Sequence, residues 1–267
     1  MDKSRRIDIS LKDLVDNSFK AIDEGAYQTK RPTSTHDVIS LRDAIHRCPH
    51  APLITEVKFS SPSHGKIRNV IQPTDIAKEM ASSGVIGLSI LTQPYLFDGS
   101  IEYFVTVRKA TTSIPLIMKD IIVSTIQIDA GKKVGADCIL LIKSVFDRDL
   151  AEDSMEKLAE YARKKALQVI VEVHTEREFE EAIKAKHDLV GINNRNLDNL
   201  QVNITTTEKL LKNQQKGIST IISESGISKP SEIRYLRSVG ADAFLIGTSI
   251  MRSRDIPDKI SKLYLAL

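Results

Sequence analysis

Eight short apolar runs recur along this chain, each followed by a polar or amphipathic stretch. That alternation limits the possible folds more than any single residue does. The runs are Pro52–Phe59, Ile86–Leu91, Pro115–Asp120, Cys138–Lys143, Gln168–His174, Leu189–Arg195, Thr220–Gly226 and Ala243–Ser249. Each is rich in Ile, Val and Leu and nearly continuous in apolar character. Strands buried on both faces read this way, which favours a parallel sheet.

The intervening stretches carry helical patterns. Asp75–Ser83 places Ile76, Ala77 and Met80 on one stripe, and Thr175–Lys186 groups Phe179, Ala182 and Ile183. The latter opens with Thr175 and has Glu178 three residues on, a capping-box pattern, and Ser231–Val239 repeats the device. Gly84, Gly135, Gly217 and Gly240 close four such segments shortly before the next run, as helix C-caps do. Eight strands and helices at spacings of roughly 20–33 residues predict an α/β fold, the (β/α)8 TIM barrel, whose usual length is ~250 residues. A doubly wound open sheet is the alternative, but no GxGxxG follows an early strand. We expect residues 1–267 to form one barrel domain. Residues 1–50 form an N-terminal helical extension covering it, with helices over Leu11–Asp23 and Leu41–Arg47.

Composition excludes several function classes. The 38 basic and 35 acidic side chains leave a net charge of +3, too little to argue for nucleic acid. No apolar run is long enough for a transmembrane helix, and the N-terminus shows no signal-peptide core. Cys48 and Cys138 share no metal-ligand spacing and read as reduced thiols of a cytoplasmic protein. No HExxH or Cys/His cluster argues for a metal, and no GxSxG for a serine nucleophile.

In such a barrel the chemistry sits at the C-terminal ends of the strands. Those ends carry Glu56 and Lys58, Lys119 and Asp120, Lys143, Glu172 and His174, Asn193 to Arg195, and Glu224. Glu56 and Lys58 share a strand face, so both can point inward. Any one of these charges is explicable as an internal ion pair. Three cations (Lys58, Lys119, Arg195) and three glutamates (Glu56, Glu172, Glu224) together are too costly to desolvate for structure alone. They suit an anionic substrate and proton transfer.

Glycine turns follow the last two runs: Ser225-Gly226 and Gly247-Thr248. Barrel enzymes often bind phosphate there, where glycine lets backbone N–H groups approach an anion. The loop from Phe59 to Gly65, with Ser61 and His64, has the composition of a flexible lid or a third phosphate contact.

In sequence order, Pro52–Ile67 (PLITEVKFSSPSHGKI), Ile90–Ser100 (ILTQPYLFDGS), Pro115–Val123 (PLIMKDIIV), Gly135–Ile142 (GADCILLI), Val171–Ile183 (VEVHTEREFEEAI), Gly191–Leu197 (GINNRNL), Ser223–Ile227 (SESGI) and Leu245–Ser253 (LIGTSIMRS) resemble the strand motifs of the indole-3-glycerol-phosphate synthase family. The resemblance implies 1-(2-carboxyphenylamino)-1-deoxyribulose 5-phosphate as substrate. It implies ring closure with loss of carbon dioxide and water, in the tryptophan pathway, with no cofactor and no metal. By the same resemblance Lys119 is the general acid and Glu172 the base. Glu56, Lys58, Asn193, Arg195 and Glu224 line the site, Phe97 belongs to the substrate-binding second loop, and Ser61, Ser225, Gly226, Gly247 and Thr248 contact phosphate.

The chemistry of the residues agrees with this. Closing the ring needs an acid to polarise a ketone, and a lysine serves if burial or a neighbouring cation such as Lys58 draws its pKa down. The sequence departs from the family pattern at Asn196, Ile121, Ser124 and Lys143. The competing readings are another phosphate-binding barrel enzyme, a sugar-phosphate isomerase or lysine aldolase, and a non-catalytic phosphometabolite-binding protein. The expected partner is a small phosphorylated substrate, with neither nucleic acid nor membrane.

Overall fold

The computed structural model describes residues 10–29, 36–63, 65–68, 72–197, 199–212 and 215–267. Each apolar run contains one barrel strand: β1 (Leu53–Val57), β2 (Gly87–Leu91), β3 (Leu116–Lys119), β4 (Cys138–Ile142), β5 (Gln168–Val173), β6 (Leu189–Asn193), β7 (Thr220–Glu224) and β8 (Ala243–Ile246). All eight run parallel, each pairs with the next, and β8 returns to β1 to close the barrel. Closure sets aside the open doubly wound sheet.

Side chains alternate across the wall. Leu88, Met118, Leu141, Val171 and Ile192 pack outward in the layer under the helices, whereas Ile54, Ile117, Leu140, Ile170, Ile222 and Leu245 belong to the interior cluster. Ile54, Ile117, Ile170 and Ile222 come from the four odd strands, and all are fully buried. A layer of four side chains from alternate strands is how such a barrel fills its middle. Two residues further along the same strands stand Glu56, Lys119, Glu172 and Glu224. The two-residue period therefore stacks a layer of charge on a layer of isoleucine.

Helices Leu11–Asp23 and Leu41–Arg47 have the predicted bounds, but they serve opposite ends of the barrel. Leu14 of the first lines the cavity at the C-terminal mouth, and the Tyr27 hydroxyl beyond it donates to Asp120 Oδ2 at 2.9 Å. The second closes the other end. The Leu41 N–H donates to Gln168 Oε1, and His46 Nε2 lies 3.0 Å from Thr220 Oγ1, where β5 and β7 begin. Buried Asp137 ties the approach to this helix, taking His36 Nε2 and the Ile39 N–H at 2.7 Å each, along with Arg108 at 2.7 Å.

Local signals hold with shifts. Thr175 Oγ1 accepts the Glu178 N–H at 3.2 Å, but the Glu178 carboxylate takes the N–H of His174 instead of closing a capping box on Thr175. The later helix begins at Pro230, with Glu232 reaching back to Ser228 and Lys229, so Ser231 is inside it and not its cap. Gly84, Gly135 and Gly240 follow their helix ends with positive φ, whereas Gly217, also at positive φ, lies in a turn five residues beyond the helix Thr205–Lys212. Among the described residues no helix is long and apolar enough to cross a membrane.

Candidate active site

A cavity of about 380 Å³ opens at the C-terminal mouth. The residues that the family resemblance assigns to the site all lie on its wall: Glu56, Lys58, Ser61, Phe97, Lys119, Glu172, Asn193, Arg195, Glu224, Ser225, Gly226, Gly247 and Thr248. Leu14, Leu91, Phe97, Ile121 and Leu197 give it an apolar side. His64 lies outside the described residues.

The charged layer is the floor. Lys119 Nζ donates to Glu172 Oε2 at 3.1 Å, and Asn193 Nδ2 donates to Glu172 Oε1 at 3.0 Å. Asn193 Oδ1 in turn accepts the Arg195 N–H at 3.0 Å. Registers explain the meeting: Glu172 sits opposite Gly191, and Asn193 opposite Glu224, on neighbouring strands. Burial alone would lower the pKa of Lys119, but the carboxylates of Glu172, Glu224 and Glu56 outweigh it and hold the ammonium above its ordinary value. This corrects the expectation of a lysine drawn down towards neutrality. Burial likewise opposes ionisation of Glu172, yet Lys119, His174 and Asn193 hold its pKa well below the usual glutamate range. For Glu224 the attraction of Lys119 and His174 is outweighed. Burial and the Glu172 charge push it up to about 8, and its Oε1 is buried without a hydrogen-bond partner. One carboxylate is thus ionised and one neutral in the same layer, the usual mark of divided acid and base roles.

Glu56 pairs with Lys58 on its own strand. Arg195 NH1 donates to Leu200 O at 2.8 Å and feels Glu56 only as a more distant charge, so the two do not form the direct pair their strand-end positions suggest. Lys143 turns away from the mouth to Asp147 and Glu181. Ser124 caps the helix Thr125–Lys133 and is not on the cavity wall, whereas Ile121 is.

The glycine turns lie side by side, joined where Ser249 Oγ donates to Ile227 O at 2.8 Å. Ser225 and Gly226 have φ of 67° and 85°, consecutive left-handed residues that a β-branched side chain would not tolerate. A Cβ on Gly247 would stand 2.6 Å from Glu56 Oε1 and 3.1 Å from Lys58 Nζ, so the missing side chain is what lets this turn meet β1. The segment Ser60–Ser61 pairs antiparallel with Gly65–Lys66, giving the loop after β1 a small hairpin.

Two residues that the sequence places at strand ends, without assigning them a role, stand beside the site. Asn194 Nδ2 donates to Ser223 Oγ and Ser225 O at 3.1 Å each, and its Oδ1 accepts from Thr207, so it holds the β7 turn in shape. His174 stands behind Glu172, with Nε2 3.3 Å from Oε1. For Asn194 there was no signal beyond its place at a strand end. For His174 there was the two-residue spacing from Glu172.

The fold and the sequence have counterparts among known proteins. A solved N-acetylmannosamine-6-phosphate 2-epimerase from Clostridium perfringens aligns with a TM-score of 0.60 at 17% identity, over 86% of this chain and 97% of that one, a likeness of fold. A curated indole-3-glycerol phosphate synthase of Acetivibrio thermocellus is 36% identical over 245 residues, 92% of each chain. One of Methanocaldococcus jannaschii is 37% identical over 257 residues, covering 93% of this chain and 90% of the relative. The family model for indole-3-glycerol phosphate synthase matches residues 10–263. With nearly the whole chain matched by that model, and relatives this similar along their full length, the chain belongs to the indole-3-glycerol phosphate synthase family, decarboxylating lyases of tryptophan biosynthesis.

Proposed function

We propose that the mouth closes the indole ring of 1-(2-carboxyphenylamino)-1-deoxyribulose 5-phosphate, with Lys119 as acid and Glu172 as base. The observation that carries this is the buried Lys119–Glu172 contact of 3.1 Å on the cavity floor. The phosphate takes the backbone N–H groups of Ser225, Gly226, Gly247 and Thr248, with Ser61 beside them. The aromatic ring lies against the apolar side, on Phe97 and Ile121. Lys58 and Arg195 are the cations for the substrate carboxylate. Lys58 exchanges its partner Glu56 for that group.

The ring carbon bearing the carboxylate attacks the ketone carbon. Lys119 gives its proton to the ketone oxygen, which becomes a hydroxyl. Carbon dioxide leaves, and its bonding pair restores the aromatic ring. The hydroxyl then departs as water with a second proton. Glu172 removes a proton from the neighbouring sugar-derived carbon, and its bonding pair forms the double bond that makes the five-membered ring aromatic. Overall one proton is consumed, matching the carboxylate charge lost as carbon dioxide. Lys119 is ready to donate because the surrounding carboxylates keep it an ammonium, and the developing alkoxide is the stronger base. Neutral Glu224 adds a hydrogen-bond donor without adding charge.

The test is to supply this substrate and follow indole fluorescence. Product formed by the wild-type chain and lost in Lys119→Ala supports the reading. No product with substrate bound would favour the phosphometabolite-binding alternative.

A further inference from the structure

One buried titratable group at the mouth has no part in the proposed reaction. His174 follows Glu172 by two residues, just past the end of β5, with its ring between the Glu172 and Glu178 carboxylates. Its Nε2 lies 3.3 Å from Glu172 Oε1, and its Nδ1 lies 3.6 Å from Glu178 Oε2. Neither contact is aligned as a hydrogen bond, so the link is ion pairing. The Glu172, Glu178 and His174 side chains are 1%, 9% and 11% exposed, which leaves little water to screen them. Glu178 is pinned: its Oε2 accepts the His174 N–H at 2.7 Å, and it sits in the first turn of the nine-residue helix Glu176–Lys184. A carboxylate there is favoured in its charged form by the helix dipole. A row of carboxylate, imidazole and carboxylate therefore runs from the cavity floor to a helix end.

The two oxygens of Glu172 meet different cations. Oε2 faces Lys119, while Oε1 faces Asn193 and His174. The other charged or titratable groups acting on the Glu172 site are Glu224 and Glu56, and those acting on His174 are Glu172, Glu178 and, at longer range, Glu224. Once Lys119 has given up its proton, Glu172 is left buried beside a neutral amine. Desolvation would then favour its protonation just before a base is needed. We propose that His174 is a positioning residue, a second cation braced by Glu178 that keeps Glu172 ionised and oriented after Lys119 has donated. This rests on the acid and base roles assigned above. Burial would lower the imidazole pKa, but Glu172 and Glu178 outweigh it and bring it up to about 9.

The experiment compares wild type, His174→Gln and Glu178→Gln. In ¹⁵N-histidine NMR of the wild type, the His174 signal, identified by its loss in His174→Gln, stays doubly protonated past pH 8, and in Glu178→Gln it titrates lower. In kinetics, His174→Gln moves the acid limb of the kcat profile up by about one unit, the effect of removing one adjacent charge, so kcat falls about tenfold at pH values below that limb. KM stays within about twofold, because the phosphate turns are untouched. Glu178→Gln moves the limb the same way by less, and it serves if His174→Gln does not fold. A neutral wild-type His174 at pH 7 would overturn the proposal, as would an unmoved acid limb in the variants. An active wild type with unmoved variants overturns the positioning role alone, whereas an inactive wild type overturns the underlying reaction as well.

Discussion

Glu224 occupies the space that a side chain on Gly191 would fill: an ideal Cβ there stands 2.3 Å from Glu224 Oε1 and 3.2 Å from Ile170 Cγ2. The two residues lie on adjacent strands, and neither can be enlarged without displacing the other. Gly191→Ala is expected to lose about 1–3 kcal/mol, the usual cost of overpacking a filled interior. Urea unfolding measures it as a lower midpoint at constant slope. Unchanged stability together with unchanged turnover would show that Glu224 has room elsewhere.

The pH dependence of stability reports the protonation of Glu224. Its pKa is raised to about 8 in the folded chain, whereas an unfolded chain releases that proton near ~4.3. Between those values the native state holds a proton that the unfolded state has lost, so stability falls as pH rises. Asp120, raised to about 6 chiefly by burial, adds to the fall over the lower part of that window. Glu172 acts in the opposite sense, but its contribution is complete once pH exceeds the ordinary glutamate value. Glu224→Gln should therefore flatten the decline in urea midpoint from pH 5 to pH 8. An identical slope in both proteins would reject a neutral Glu224.

Lys119 and Glu172 are expected to fail at different steps. Acid–base assistance is typically worth ~10²–10⁴ in rate, so Lys119→Ala should lose most turnover while still binding substrate through its phosphate. Glu172→Gln keeps the shape and removes the base, so a closed, undehydrated intermediate should accumulate. Rapid-quench product analysis distinguishes the two. Near-normal turnover by Lys119→Ala would remove the acid assignment.

Gly247→Ala should raise KM by forcing the Glu56–Lys58 pair away from the β8 turn, since its Cβ would enter within 2.6 Å of Glu56. Substrate lacking the phosphate should show the same loss in wild type and little further loss in the variant. If dephosphorylated substrate is processed with undiminished kcat/KM, the phosphate is not an anchor.

Glu56 should couple more strongly to Lys58 than to Arg195. Residues in direct contact show interaction energies of ~0.5–3 kcal/mol in double-mutant cycles, and those without contact much less. Thermal or urea unfolding of the two cycles ranks them. Equal couplings would mean that Arg195 closes on Glu56 in solution.

The barrel was legible because its strands are buried on both faces, and few folds besides a closed parallel barrel use eight near-continuous apolar runs at this spacing. The mouth was legible for a related reason: a period of two carries Glu56, Lys119, Glu172 and Glu224 to one side of their strands. What a strand pattern does not encode is which neighbour each charge finds across the barrel. The pKa of Lys119 depends on Glu172, Glu224 and Glu56, on three strands far apart in sequence, and counting cations near it gave the wrong sign. The pairing of Glu56 with Lys58 was hidden for the opposite reason. Two charges on one strand face satisfy each other before either reaches across. The Glu178 carboxylate looked like half of a capping box, and only the turn geometry turns it back to His174.

The N-terminal helices meet the barrel through partners from distant parts of the chain: Tyr27 with Asp120, Leu41 with Gln168, Arg42 with Ile218, and His50 with Leu267. In chain order these segments precede every strand, yet their docking partners belong to the end of β3, to β5 and to segments beyond them. They must wait as unsatisfied amphipathic chain, and such long-range closures are slow to form. The Tyr27–Asp120 bond behind Lys119 can form once β3 is in place, but the cavity wall that Leu14 shares with Ser225, Gly226, Gly247 and Thr248 exists only after β7 and β8 join, so a barrel lacking its last strands has no finished site.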